Sequence, residues 1–150
     1  MRRTLIGLML VLTACAQQPQ QRQAQPAQQP GEPAGPREVT VKAVEYGYQG
    51  VPATLSAGRV RILLKNAGQE PHEFGLVRIT GDQTVEELLQ LGNRAERFIE
   101  DVGSAFARPG RSDELTRTLE PGRYGYACFV TAKDGTPHAL HGMYGELTVE

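Results

Sequence analysis

The sequence lacks the features that mark several common functional classes. Its 16 Lys and Arg residues are scattered among 17 Asp and Glu, and the absence of a basic cluster excludes a nucleic-acid partner. It contains no glycine-rich phosphate-binding loop. Ser104 and Ser112 have no neighbouring His that could activate a nucleophile, and three His residues are too few for the imidazole clusters of multicopper oxidation. We therefore predict that the chain is not an enzyme.

A long hydrophobic run is also missing, although a short one lies near the start. Residues 5–12 are mostly apolar, follow Arg2 and Arg3, and are too short to span a bilayer, which takes about 20 residues. Leu-Thr-Ala and then Cys15 come next, a pattern that resembles the bacterial lipobox. We predict a signal peptide over residues 1–14 and a lipid on Cys15. The lipid would anchor the protein to a membrane of the cell envelope, on its periplasmic or extracytoplasmic face.

Aromatic and β-branched residues are absent from residues 16–36, where Gln, Pro, Ala and Gly predominate. Such a segment cannot bury enough apolar surface to fold. We predict that residues 15–36 form a lipidated, disordered tether whose flexible part spans roughly 25 Å on average. The tether would let a folded domain over residues 37–150 stand off from the membrane and reorient.

Short alternating patterns dominate the rest of the chain and predict strands. Apolar and polar residues alternate from Arg37 onwards and again between Val60 and Leu64. Turn residues such as Asn-Ala-Gly and Pro-Gly separate further candidates at 72–79, 115–119, 123–130 and 144–149. Strands at this spacing, without alternating helices, predict an all-β sandwich.

One segment departs from this pattern and predicts a helical insertion. Thr84 and Glu87 have the spacing of a capping box, and apolar residues at helical spacing continue to Val102. We predict one or two helices over residues 84–101, packed on the sandwich, with Gly92 ending or kinking the first. Residues 103–112 are predicted to form a surface loop.

Cysteine is scarce, and the position of the second Cys suggests a use for it. Lipidation of Cys15 would leave Cys128 without a disulfide partner in a compartment that favours disulfides. Downstream of Cys128 lie two His residues and a Met, and a further His begins a predicted strand upstream. A thiolate, two imidazoles and a weak thioether are the donor types of a blue-copper site. Each residue alone also fits an ordinary structural role, so the combination is what predicts a metal site.

The motifs around these donors resemble those of the cupredoxins, in particular the plastocyanin-like bacterial group, over roughly residues 38–150. The resemblance rests on an Asn-x-Gly turn followed by His-Glu-Phe, on the strand that ends at Cys128, and on His-x4-Met before the last strand. It implies a Greek-key β-sandwich that holds one type 1-like copper ion, with four ligands: His72, Cys128, His138 and Met143. His141 remains an alternative to His138, because an extended segment would place it on the same side as Met143.

The sequence departs from that family at two positions. Nine residues separate Cys128 from His138, where plastocyanin-like loops have two, so we expect a less rigid placement of this histidine. Glu73 follows His72 where many blue-copper proteins have an Asn that holds the Cys loop.

The resemblance implies a one-electron carrier that meets a redox partner protein through the edge of a histidine ligand. Two alternatives stay open. The chain could buffer, deliver or sense copper together with a copper-handling protein. It could also be a metal-free cupredoxin-like interaction domain.

Overall fold

The structure is a computed structural model that describes residues 35–150, so the predicted signal peptide, Cys15 and nearly all of the tether lie outside the described residues. The described part contains nine strands, namely β1 Arg37–Val44, β2 Gly47–Gln49, β3 Thr54–Leu55, β4 Gly58–Asn66, β5 His72–Ile79, β6 Ile99–Ala107, β7 Ser112–Leu119, β8 Gly122–Ala127 and β9 Tyr144–Val149. It also contains helix α1, Val85–Leu91, and two 3₁₀ helices, Gly92–Phe98 and His138–His141. Within these residues no helix has the length and apolar character needed to cross a membrane.

The strands form two sheets that pack face to face. The first sheet has the order β2-β1-β4-β7, and the second has the order β3-β9-β8-β5-β6. β1 pairs in parallel with β4, and β3 pairs in parallel with β9, so the chain crosses repeatedly between the sheets. Alternate residues of each strand point inward and form one core, whose largest fully buried members include Leu64, Phe74, Leu76, Leu119 and Tyr124. The predicted all-β Greek-key sandwich is confirmed.

The helical insertion covers the outer face of the second sheet. Helix α1 begins after Thr84, whose side chain accepts the Glu87 N–H while the Glu87 carboxylate accepts the Thr84 N–H, as the capping-box pattern predicts. Val85 and Leu88 pack with Ile79 in a second, smaller apolar cluster. A Cβ on Gly125 would lie 2.5 Å from Val85 Cγ2, so the close approach of α1 to β8 requires glycine there.

The insertion is shorter than predicted, because helical structure ends at Phe98. Residues 99–107 form β6, which pairs with β5 from Ile79 opposite Ile99 to His72 opposite Ala107. The predicted helix over 99–101 and the predicted loop over 103–107 are therefore wrong. The apolar spacing up to Val102 fits a helix, but an extended segment can pair with the free edge of β5 along its length and satisfy the backbone groups of both strands that face each other. Small residues such as Gly103 and Ser104 hid the strand, because they have little intrinsic preference for one.

Candidate metal centre

Three of the predicted ligands meet at one end of the sandwich. Nδ1 of His72 lies 3.1 Å from Nδ1 of His138, and Sγ of Cys128 lies 3.4 Å from the same His138 atom. One potential donor atom from each residue falls within 4.8 Å of the others, and none of the three residues has exposed surface. The structure thus brings together an N, N, S donor set in a space closed to water.

The β4–β5 connection, residues 67–71, delivers His72 as the first residue of β5. Asn66, the last residue of β4, holds this connection through its buried side chain. Its Nδ2 donates to the carbonyls of Glu70 at 2.7 Å and Ala107 at 2.8 Å, and its Oδ1 accepts the Gly68 N–H at 2.8 Å. One amide side chain therefore fixes the turn against the end of β6, and with it the entry of His72 into the site.

Cys128 follows the last residue of β8, and the backbone fixes its position. Its N–H donates to the Met143 carbonyl at 3.0 Å, and its carbonyl accepts the Ala139 N–H at 2.7 Å. The sulfur accepts the Glu73 N–H at 3.3 Å. A main-chain donor at position 73 therefore holds the thiol whatever the side chain, so the family's Asn is not needed for this contact.

The nine residues between Cys128 and His138 fold into a small hairpin of their own. Thr131 pairs with Pro137, and the His138 N–H donates to the Val130 carbonyl at 2.9 Å. Inside this pair the Ala132 N–H donates to the Thr136 carbonyl at 2.8 Å. The hairpin returns the chain to its starting point, and its main-chain hydrogen bonds constrain the approach to His138 in spite of the length of the loop. The extra residues of the loop form this hairpin, and they do not increase the separation between Val130 and His138.

Two glutamates contact the histidines on the side away from the donor cluster. Glu45 Oε1 lies 3.2 Å from Nε2 of His72, and Glu70 Oε2 lies 2.9 Å from Nε2 of His138. Sequence reasoning missed both. Glu70 stands two residues before His72 but contacts His138, 68 residues later, so its position in the sequence gives no signal of this role. Glu45 lies in the β1–β2 turn, far away in sequence, and only the fold reveals its role.

These contacts set the protonation of the two imidazoles. A carboxylate can only accept a hydrogen bond, so each Nε2 carries the proton that it donates to a glutamate. In the neutral imidazole the other ring nitrogen is then an acceptor. The two Nδ1 atoms of His72 and His138 are therefore acceptors facing each other at 3.1 Å, an arrangement that a cation bound between them would stabilise.

Burial also shifts the titration of two site residues. Burial raises the pKa of the Cys128 thiol above its usual value, although the Glu73 N–H opposes this by stabilising the thiolate. Burial lowers the pKa of His72, and the negative charge of Glu45 opposes that shift. Neutral His72 is ready to donate its lone pair near pH 7, whereas Cys128 must lose a proton to become a thiolate donor.

The remaining predicted residues lie outside the three-residue cluster. His141 is exposed, stacks on the Tyr46 ring with centroids 4.6 Å apart, and lies 3.1 Å from the Asp134 carboxylate. Met143 is fully buried beside Cys128 in the core, after Gly142, whose φ of 100° turns the chain. The edge of His138 contacts Glu70 and Tyr46, so the exposed ligand edge expected from the sequence is absent.

Solved structures with the same architecture include three auracyanins. An auracyanin from the photosynthetic bacterium Roseiflexus castenholzii superposes with a TM-score of 0.53 at 22% identity, over 75% of this chain and 96% of that chain. Auracyanin B superposes with a TM-score of 0.53 at 26% identity, over 76% of this chain and 88% of that chain. The domain has the cupredoxin fold. Auracyanin A from Chloroflexus aurantiacus, a "blue" copper protein, superposes on the domain with a TM-score of 0.50 at 25% identity, over 77% of this chain and 100% of that chain.

No family model and no curated protein matches the sequence, so fold and site geometry provide the evidence about this domain. Two imidazole nitrogens and one thiolate sulfur form the donor set of a blue-copper centre, which a weak axial thioether completes. The cluster of His72, Cys128 and His138 fits a single type 1 copper site.

Proposed function

We propose that this chain is a copper-binding lipoprotein that carries single electrons in the cell envelope. His72, Cys128 and His138 would hold one copper ion, and Met143 would add a weakly bound thioether. The observation that carries the proposal is the pair of facing Nδ1 acceptors, 3.1 Å apart beside a buried thiol. Copper, when bound there, would supply a couple between Cu(I) and Cu(II). The chain's own residues would orient the donors and exclude water.

Burial of the donors favours an electron carrier over a copper-delivery module. Handing copper to another protein requires its donors to reach the ion, whereas His72, Cys128 and His138 have no exposed surface. A carrier needs only electronic contact through the protein and gains from donors that stay in place. A redox partner protein is therefore the partner that we propose.

The proposed location depends on Cys15, which lies outside the described residues. The Leu-Thr-Ala-Cys pattern after a short apolar run supports lipid attachment, and the Gln- and Pro-rich tether would give the domain reach. We expect Cys15→Ser to release the protein from membranes, and mass spectrometry of extracted wild type to find an acylated N-terminal Cys. Equal membrane association of the variant and the wild type, without accumulation of unprocessed variant, would contradict the anchor.

A copper titration of the purified protein tests the proposed site. We expect Cu(II) to bind one ion per chain and to produce an intense visible charge-transfer band that disappears on reduction and returns on oxidation. Cys128→Ser should abolish the band while circular dichroism reports an unchanged fold. Absence of binding would leave the metal-free interaction domain. Binding without reversible reduction would favour a copper buffer.

The two downstream histidines provide a matched pair for ligand assignment. We expect His138→Ala to lose the copper band, because its Nδ1 faces both other donors, and His141→Ala to retain it, because this side chain pairs with Asp134 at the surface. Loss of the band in the His141 variant alone would overturn the assignment. Loss in both variants would point to a different ligand set.

A further inference from the structure

We infer that Glu70 is a positioning residue for His138, which fixes its tautomer and biases the site toward the oxidised ion. The inference deepens the proposed function and rests on it. Glu70 Oε2 lies 2.9 Å from Nε2 of His138, on the ring edge opposite the donor atom, and the Glu70 side chain is only 12% exposed. A charged acceptor held at short range on a nearly buried imidazole is a strong hydrogen bond.

The backbone of Glu70 is itself fixed on both sides. Its N–H donates to Glu45 Oε1 at 2.7 Å, and its carbonyl accepts from Asn66 Nδ2 at 2.7 Å. The Tyr46 ring packs 4.8 Å from the His138 ring and leaves the imidazole little room to rotate. The carboxylate therefore stays in place without a metal, and His138 presents the unprotonated Nδ1 before any ion arrives.

The negative charge of Glu70 has an electronic consequence for a bound metal. Donation of Nε2–H to a carboxylate makes the opposite nitrogen a stronger base, as in the carboxylate–histidine pairs that support metal ligands. A fixed negative charge nearby also favours the more positive oxidation state, because the attraction scales with the charge of the ion. Both effects favour Cu(II) over Cu(I) and lower the reduction potential.

Glu45 makes a similar contact with His72, but it cannot provide the decisive test. Its Oε1 also accepts the N–H groups of Gln69 at 2.6 Å and Glu70 at 2.7 Å, so its loss would release the β4–β5 connection. The Glu70 carboxylate, by contrast, accepts only from side chains in the described structure, His138 and, at 3.5 Å, Tyr46. Replacing it changes the imidazole environment with little effect on the backbone.

The experiment compares Glu70→Gln and Glu70→Ala with wild type, and uses Asp134→Asn as the matched control. Gln keeps the shape and an acceptor oxygen but removes the charge, and Ala removes both. Asp134 pairs with the exposed His141 and is 57% exposed. Asp134→Asn therefore removes one carboxylate charge, as Glu70→Gln does, but beside a histidine outside the donor cluster. Copper stoichiometry and the visible band are measured first, then the reduction potential.

We expect Glu70→Gln to bind one copper ion and to lose roughly 10-fold or more in Cu(II) affinity. Affinity for Cu(I) should fall less, and each tenfold difference between the two losses raises the potential by about 59 mV. Glu70→Ala should show a larger rise, and Asp134→Asn should stay at the wild-type value. A Glu70→Gln potential equal to wild type would overturn the electronic part of the inference.

A second readout needs no copper and separates failure of the inference from failure of the proposed function. Nitrogen-15 NMR of the metal-free protein reports which imidazole nitrogen carries the proton. We expect His138 to be protonated at Nε2 in wild type and to exchange between tautomers in Glu70→Ala. Mixed tautomers in wild type would overturn the positioning role. If wild type binds no copper but shows the fixed tautomer, the proposed function fails and the positioning role of Glu70 stands.

Discussion

The two segments that deliver the candidate ligands achieve order in opposite ways. The β4–β5 connection is five residues long, and side chains from outside it, those of Asn66 and Glu45, hold it in place. The β8–β9 loop, residues 128–143, is three times as long and is held mainly by hydrogen bonds between its own main-chain groups. Both segments nevertheless place a fully buried histidine at the same point.

The difference shows that loop length is a poor guide to rigidity at a binding site. A short connection that depends on one or two side chains can be broken by one substitution. A long loop that satisfies its own backbone spreads the constraint over many bonds, and most of them survive any single side-chain change. The predictions below test this contrast.

The largest effect should come from the side-chain anchor of the short connection. Asn66→Ala removes three hydrogen bonds and leaves the buried carbonyl of Ala107 without this donor, so we expect the free energy of unfolding to fall by about 2–4 kcal/mol. Asp134→Ala, which removes the exposed side-chain contacts with the Thr136 N–H and with His141 in the long loop, should cost less than about 1 kcal/mol. Urea titrations of the metal-free proteins measure both. Equal losses of unfolding free energy in the two variants would contradict the proposed difference between the short connection and the long loop.

The pH dependence of stability should report on each segment separately. His72 is delivered by the short connection and has a lowered pKa, so as pH falls below the usual value of 6.5 the unfolded chain binds a proton first and stability declines. Cys128 belongs to the long loop and has a raised pKa, so as pH rises above the usual 9.0 the unfolded chain loses a proton first and stability declines again.

We therefore expect the metal-free protein to be most stable between pH 6.5 and 9.0. Urea titrations across the pH range measure the profile. Cys128→Ser should reduce the alkaline decline and leave the acid side unchanged, because only the thiol has been removed. An alkaline decline that is identical in the two proteins would mean that other groups, such as the tyrosines, dominate there.

The smallest effect should come from shortening the long loop. Deletion of residues 131–137 removes the hairpin and leaves Phe129 and Val130 between Cys128 and His138, the separation of plastocyanin-like loops. Because Val130 and His138 already lie side by side, we expect the domain to fold, with stability within about 1 kcal/mol of wild type. The visible copper band should be retained.

A second variant sharpens this result by keeping length and removing order. Replacement of residues 131–137 by a Gly-Ser segment of equal length removes the Thr131–Pro137 pairing and restores a flexible loop. We expect it to bind copper more weakly than either wild type or the deletion variant in a competition titration. Binding as tight as in wild type would show that the hairpin adds nothing to the placement of His138.

The fold was largely predictable from the sequence because a strand with one buried face has alternating apolar and polar residues. Alternation marked β1 and β4, and the capping box located the start of α1. Strand β6 was missed, since its buried positions include small residues, Ala105 and Ala107, and its pairing partner β5 lies about 20 residues earlier. Edge pairing is a property of the assembled sheet, which local periodicity does not encode.

The candidate site was predictable in its donors and not in their support. Cys128 and the histidines stand out because few residue types can bind a soft metal. Glu45 and Glu70 are two acidic residues among 17 Asp and Glu, and nothing local separates them from charges that only face solvent. The hairpin at residues 130–138 could not be read either, because a nine-residue spacing is equally compatible with a flexible loop.

The complete burial of the three donors also determines how fast the site can fill. With no exposed surface on His72, Cys128 or His138, an ion in solution reaches them only after part of the surrounding structure opens. The rate of copper uptake should therefore level off as copper concentration rises, at the rate of that opening.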